Sequence, residues 1–239
     1  MEKVDILAIG AHPDDVELAY SGTILKQVQS GSQVAIVDLT RGELGTRGSA
    51  EIREKEARLG ADVMGVKHRT NLGLADGFFE INEVSLLKVV EQIRRHQPQI
   101  VIANAEWDRH PDHARGGDLV SRACFLSGLR KVVTSWEGIG QEVWRPKVVY
   151  RSVQDRYIEP DFVVDVTSFW EKRMESVKAY ATQFYDPNSE EPESPISSKS
   201  FLENIDARAL HYGRLINVRY AEGFTCERPI GVENLLDLT

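Results

Sequence analysis

Two short polar segments concentrate the residue types that can do chemistry. The first reads Ala11-His12-Pro13-Asp14-Asp15-Val16-Glu17, and the second Trp107-Asp108-Arg109-His110-Pro111-Asp112-His113. His12 and Asp15 stand three positions apart, as do His110 and His113, so one helical turn brings each pair onto a shared face. Zinc takes imidazole nitrogen and carboxylate oxygen, and a catalytic zinc site commonly uses three protein ligands and leaves one position open for water. Two histidines and one carboxylate meet that need, and the same donors suit iron(II). Neighbours on a helical turn diverge by about 100°, so Asp15 can face a metal while Asp14 faces water and substrate. Taken singly, each segment has a plainer reading: His-Pro marks a turn, and acidic residues ahead of a helix cap it and favour its positive end. Capping does not explain the same spacing recurring a hundred residues on.

These segments need elements to bring them together. Apolar runs at 6–9, 34–39 and 100–103 read as short buried strands, with further strands at 147–150 and 162–166. Residues 16–29, 49–64 and 82–96 carry apolar positions at helical spacing, as do 167–184 and 201–218. Such alternation predicts an α/β fold with a mostly parallel sheet, a Rossmann-like three-layer sandwich, across a single domain of residues 1–239. Each polar segment follows a predicted strand, which places the site beyond the carboxyl ends of the strands. Residues 185–200 are acidic and hold Pro187, Pro192 and Pro195, the composition of a long mobile loop.

Composition narrows the classes. Lys and Arg total 29 and Asp and Glu 37, a net charge of 29 − 37 = −8, which argues against a nucleic-acid partner. Cys124 and Cys226 have no CxxC spacing, in keeping with a reduced, cytoplasmic chain, and the apolar run at the N-terminus is too short for a signal peptide or a membrane span.

The two segments resemble the hallmarks of the LmbE-like, or PIG-L, zinc deacetylases: an AHPDD segment, here Ala11 to Asp15, and an HPDH segment, here His110 to His113. The likeness extends to Thr40-Arg41-Gly42-Glu43-Leu44-Gly45-Thr46-Arg47-Gly48, to Pro160-Asp161-Phe162-Val163-Val164-Asp165-Val166 and to Tyr220-Ala221-Glu222-Gly223-Phe224. It is nearest to the branch that deacetylates N-acetylglucosaminyl malate in bacillithiol biosynthesis. The resemblance implies His12, Asp15 and His113 as zinc ligands and Asp14 as general base. His110 becomes general acid, or the cation that steadies the tetrahedral intermediate, with Asp112 as its orienting carboxylate. It further implies a small N-acetylated sugar as substrate, a homo-oligomer, and Arg53 as a ligand of substrate oxygens. Relatives place a Tyr from a late loop over the oxyanion; this chain has Ser198-Lys199-Ser200-Phe201 there, which leaves Tyr185 as a substitute.

Arginine pairs bidentately with carboxylates, so Arg41, Arg47, Arg53 and Arg109 are candidates for an acidic group on the substrate. Against that, Arg53 also fits an i, i+3 pair with Glu56. Glu17 begins a helix, and His68, His96 and His211 read as surface or packing residues. Within the same chemistry stand a deacetylase of N-acetylglucosamine or chitooligosaccharides and an amidase of bacillithiol conjugates. From other classes come a nucleotide-binding α/β module, opposed by the lack of G-x-G-x-x-G and of a Walker lysine, and a non-catalytic zinc protein, opposed by the lack of an obvious fourth ligand.

Overall fold

The computed structural model describes residues 3–237. A seven-stranded sheet runs in the order β3(His68–Leu74), β2(Val34–Thr40), β1(Ile6–Gly10), β4(Ile100–Ala103), β7(Val148–Ser152), β9(Ala221–Cys226), β8(Phe162–Asp165). The first five are parallel; β9 pairs antiparallel with both its neighbours. A small hairpin, β5(Ser135–Trp136) and β6(Ile139–Gly140), stands apart. The fold is α/β with a mostly parallel sheet, as the sequence predicts.

Strands β1 and β2 are buried along their whole length, which is why they read as unbroken apolar runs rather than alternating ones. Their side chains still alternate between faces. Leu7, Ile9, Val37 and Leu39 pack beneath α3(Glu83–His96) and α4(Pro111–Ser127), whereas Ile6, Ala8 and Ile36 pack beneath α1(Asp15–Gln29) and α2(Ala50–Met64). Helices thus cover both faces, giving three layers. Ser49 caps α2 and Asn82 caps α3, each side chain accepting a backbone N–H three residues on.

Three differences from the sequence reading have physical causes. The helix expected over 167–184 is a 3₁₀ turn, Thr167–Phe169, followed by α5(Trp170–Lys178), which stops at Lys178; Tyr180 and Phe184 remain buried through successive turns. The last long helix, α6(Lys199–Leu215), begins earlier than expected, with Ser198 as its cap. Helix α1 is kinked at Tyr20, and the buried Glu222 carboxylate fills the break, accepting from Gly22 N at 3.0 Å and from Thr23 N and Oγ1 at 2.7 Å each. Glu222 sits in the third resembling segment, so that segment's contribution is structural.

The chain passes from β1 out to β2 and β3, then returns across β1 to β4. That reversal opens a crevice beyond the carboxyl ends of β1 and β4, the place where open α/β sheets bind ligands. Residues 11–15 leave β1 there, and residues 104–113 leave β4.

Candidate active site

The segment after β1 turns sharply because the Asp15 carboxylate accepts the His12 backbone N–H at 2.9 Å. Asn104, one residue past β4, fastens the two strand ends. Its Oδ1 accepts from Ala11 N at 2.8 Å, and its Nδ2 donates to Asp15 at 2.9 Å. The segment after β4 becomes helical at Pro111, with His110 as N-cap. These local rules deliver His12, Asp15, His110 and His113 to one cleft, also lined by Asp14, Arg53, Asp76, Arg109 and Gln154. The cleft is about 360 Å³, within the usual range for small-ligand sites.

Asp15 presents one oxygen to each of two imidazoles: Oδ2 lies 3.6 Å from His12 Nδ1 and Oδ1 3.1 Å from His113 Nε2. Each ring's other nitrogen meets a different carboxylate. His12 Nε2 lies 3.0 Å from Asp76, and His113 Nδ1 lies 2.6 Å from Asp108. A carboxylate on the far nitrogen is how ligating histidines are held in one tautomer and orientation. Among the described residues, two groupings have donor atoms within 4.8 Å of one another, His12–His110–His113 and His12–Asp76–Asp112. The expected set, His12–Asp15–His113, shares two imidazoles with the first and is not itself one of these groupings. In the second, Asp112 is also taken up by Gly77 N at 2.7 Å and Arg115 at 3.0 Å.

Burial opposes ionisation of Asp15, yet the His113 and His12 rings outweigh it and hold its carboxyl well below the usual range. Burial likewise disfavours charge on His113, but Asp15 and Asp108 lift it to about 9. Against its burial, His12 is raised by Asp112, Asp15 and Asp76. Burial pushes Asp14 up to about 6, partly countered by Arg53, whose Nη2 donates to it at 2.9 Å. His110 is pushed down to about 4 by burial and by the charges of His12 and His113.

The structure corrects several expected roles. The Asp112 carboxylate points to Gly77, Arg115 and, at 3.5 Å, His12; toward His110 it offers only its backbone N–H, which Nδ1 accepts at 3.2 Å. Arg53 pairs with Asp14 rather than with Glu56, whose carboxylate binds Thr182. It also donates to Gly42 O, and a Cβ at Gly42 would collide with the guanidinium. Arg47 is spent on the backbone of residues 184–192, and Arg41 turns outward to Glu51 at 3.0 Å; neither lines the cleft. Tyr185 is exposed and does not line the cleft. Glu17 is buried and ion-paired to Arg69, which also grips Asp38 in β2. Asp108, Asp76, Asn104 and Gln154, the last donating to Asp15 at 2.8 Å, were missed as partners; only Asp108 carried a signal, lying within the second segment.

The mostly parallel sheet carries a histidine–aspartate cluster at its switch point, and comparison with known proteins identifies the class. The family described as PIG-L, GlcNAc-PI de-N-acetylase, matches residues 7–124. The diacetylchitobiose deacetylase of Thermococcus kodakarensis is 30% identical over 91% of this chain and 81% of its own. A probable N-acetyl-alpha-D-glucosaminyl L-malate deacetylase 2 of Bacillus anthracis is 28% identical over 75% of this chain and 81% of its own. The crystal structure of a conserved protein from Thermus thermophilus superposes with a TM-score of 0.85 at 32% identity, covering 97% of this chain and 98% of that one. The chain belongs to the PIG-L family and is a hydrolase of the deacetylase class. Among the described residues, no helix is long and apolar enough to cross a membrane.

Proposed function

We propose that the protein hydrolyses the N-acetyl group of an N-acetylglucosaminyl substrate, with N-acetyl-D-glucosaminyl L-malate as the preferred form and zinc as the metal. The observation that carries this is the pair of imidazoles facing Asp15, each backed by its own carboxylate. His12, Asp15 and His113 would hold the ion. When bound, zinc supplies Lewis acidity toward water and the acyl oxygen.

The chain's own groups do the rest. Asp14 lies in the cleft beside the ligands, and a carboxyl raised to about 6 can accept a proton from attacking water and return it to the departing nitrogen near neutral pH. Arg53 keeps that carboxylate aimed. His110 Nδ1 accepts the Asp112 N–H, so Nε2 carries the ring proton. With the proton on Nε2, the ring suits a hydrogen-bond donor to the oxyanion. Among the four arginines considered for an acidic aglycone, Arg109 keeps a place at the cleft with its charge turned to a surface partner, Asp155.

The diacetylchitobiose deacetylase relative favours a second reading, a chitooligosaccharide as substrate. Acetate release from the malate glucosaminide, N-acetylglucosamine and diacetylchitobiose by the zinc-loaded protein separates them. Equal rates on the first two remove the malate preference, and no release from any removes the deacetylase reading.

A further inference from the structure

We propose that Arg47 is a specificity-determining residue: it ties together two walls of the cleft and so limits the length of the group attached to the N-acetylated sugar. The proposal rests on the deacetylase reading above.

Arg47 is 6% exposed, and its guanidinium faces three backbone carbonyls of one segment: Nε donates to Pro192 O at 2.6 Å, Nη2 to Glu191 O at 3.2 Å and Nη1 to Phe184 O at 3.4 Å. Two reciprocal contacts close the junction. Gly48 N donates to the Glu191 carboxylate at 2.9 Å, and Gln183 Nε2 donates to Arg47 O at 2.8 Å. Between Phe184 and Ser194 the chain is exposed throughout, so it has no core of its own to hold it. Immediately after the last pinned carbonyl, Ser194, Pro195 and Ile196 form one wall of the cleft; immediately before Arg47, Leu44, Gly45 and Thr46 form another. One buried side chain therefore fixes the gap between both walls and the metal-ligating cluster. Arginine suits this because its planar fork donates to several carbonyls in one fixed geometry, whereas lysine offers a compact point charge on a flexible stem.

Arg47→Ala and Glu191→Ala, each loaded with zinc, are compared with the unaltered protein on N-acetylglucosamine and on a four-sugar chitooligosaccharide, with limited proteolysis across residues 185–193 as the structural readout. The expected result is faster cleavage of that segment and a shift of at least about tenfold in the kcat/KM ratio toward the longer substrate. Faster cleavage with an unchanged ratio overturns the proposal, as does an unchanged cleavage rate in both variants. If Arg47→Ala does not fold, Glu191→Ala, which removes the acceptor of the Gly48 N–H, is read by the same two criteria. Unaltered protein that releases acetate from neither substrate overturns the deacetylase reading and the wall with it, an outcome distinct from an unchanged ratio.

Discussion

His113 Nδ1 lies 2.6 Å from the fully buried Asp108 carboxylate, while the opposite nitrogen of the same ring lies 3.1 Å from Asp15. The ring is thus fixed from behind by a residue that also accepts the backbone N–H groups of Arg109 and Arg156. Losing such a carboxylate typically weakens metal binding by about 10- to 100-fold. Asp108→Asn is expected to show that loss in a competition titration with a chromophoric zinc chelator. Unchanged zinc affinity would sink the positioning role.

Asp14 makes a different demand, because it neighbours the ligands without being assigned as one. Asp14→Asn should keep the metal and lose turnover by about 10²- to 10⁴-fold, the usual contribution of a general base. Metal content by elemental analysis and single-turnover acetate release are the two measurements. A variant that keeps both metal and rate removes Asp14 from the chemistry.

Metal binding must also move protons. His113, at about 9, is charged in the metal-free protein at pH 7.5, and ligation requires it neutral. Zinc binding is therefore expected to release at least about one proton there, read by calorimetry in buffers of different ionisation enthalpy. A folded pKa raised above 6.5 stabilises fully below pH 6.5, and that contribution is lost as pH rises through about 9. The metal-free protein should lose thermal stability across that window, and the zinc-loaded protein should not.

Strands β1, β2 and β4 were legible because a strand covered on both faces has only apolar residues to offer. Strand β3 was not: it forms the sheet edge and carries His68, Arg69 and Asn71. Helix α4 was legible only as the turn that brings His110 and His113 together, because its buried face is built partly from Gly116, Gly117 and Ala123, which give a faint apolar period. The apolar stripe running to Phe184 overstated α5, since helix and consecutive turns bury residues at similar spacing. In the site, the two motifs exposed the ring and carboxylate types. Their partners were hidden because Asp76 approaches His12 from 64 residues away and Gln154 approaches Asp15 from 139, a juxtaposition only the sheet order creates.

Glu222 offers a test of the scaffold rather than the chemistry. It stands opposite Arg173, 3.2 Å away and 1% exposed, while satisfying the N–H groups freed by the kink in α1. Removing one partner of a buried ion pair costs about 3–5 kcal/mol. Glu222→Ala should lower the denaturation midpoint accordingly, with zinc affinity per folded molecule retained. A loss below about 1 kcal/mol, the value of an exposed pair, would contradict the bracing role.

Arg109 decides between the two substrate readings. Its side chain is 36% exposed and its partner Asp155 27%, so their ion pair is screened and worth little. Exchanging Asp155 for a substrate carboxylate is therefore nearly neutral in cost, whereas the buried Arg53–Asp14 pair admits no such exchange. Arg109→Gln should raise KM for the malate glucosaminide by about tenfold or more and leave KM for N-acetylglucosamine within about twofold, because only the former carries a carboxylate to lose. Raising the salt concentration should mimic the variant on the charged substrate alone. Parallel losses on both substrates would instead assign Arg109 to the sugar or to the cleft wall, and the anionic aglycone would lose its principal support.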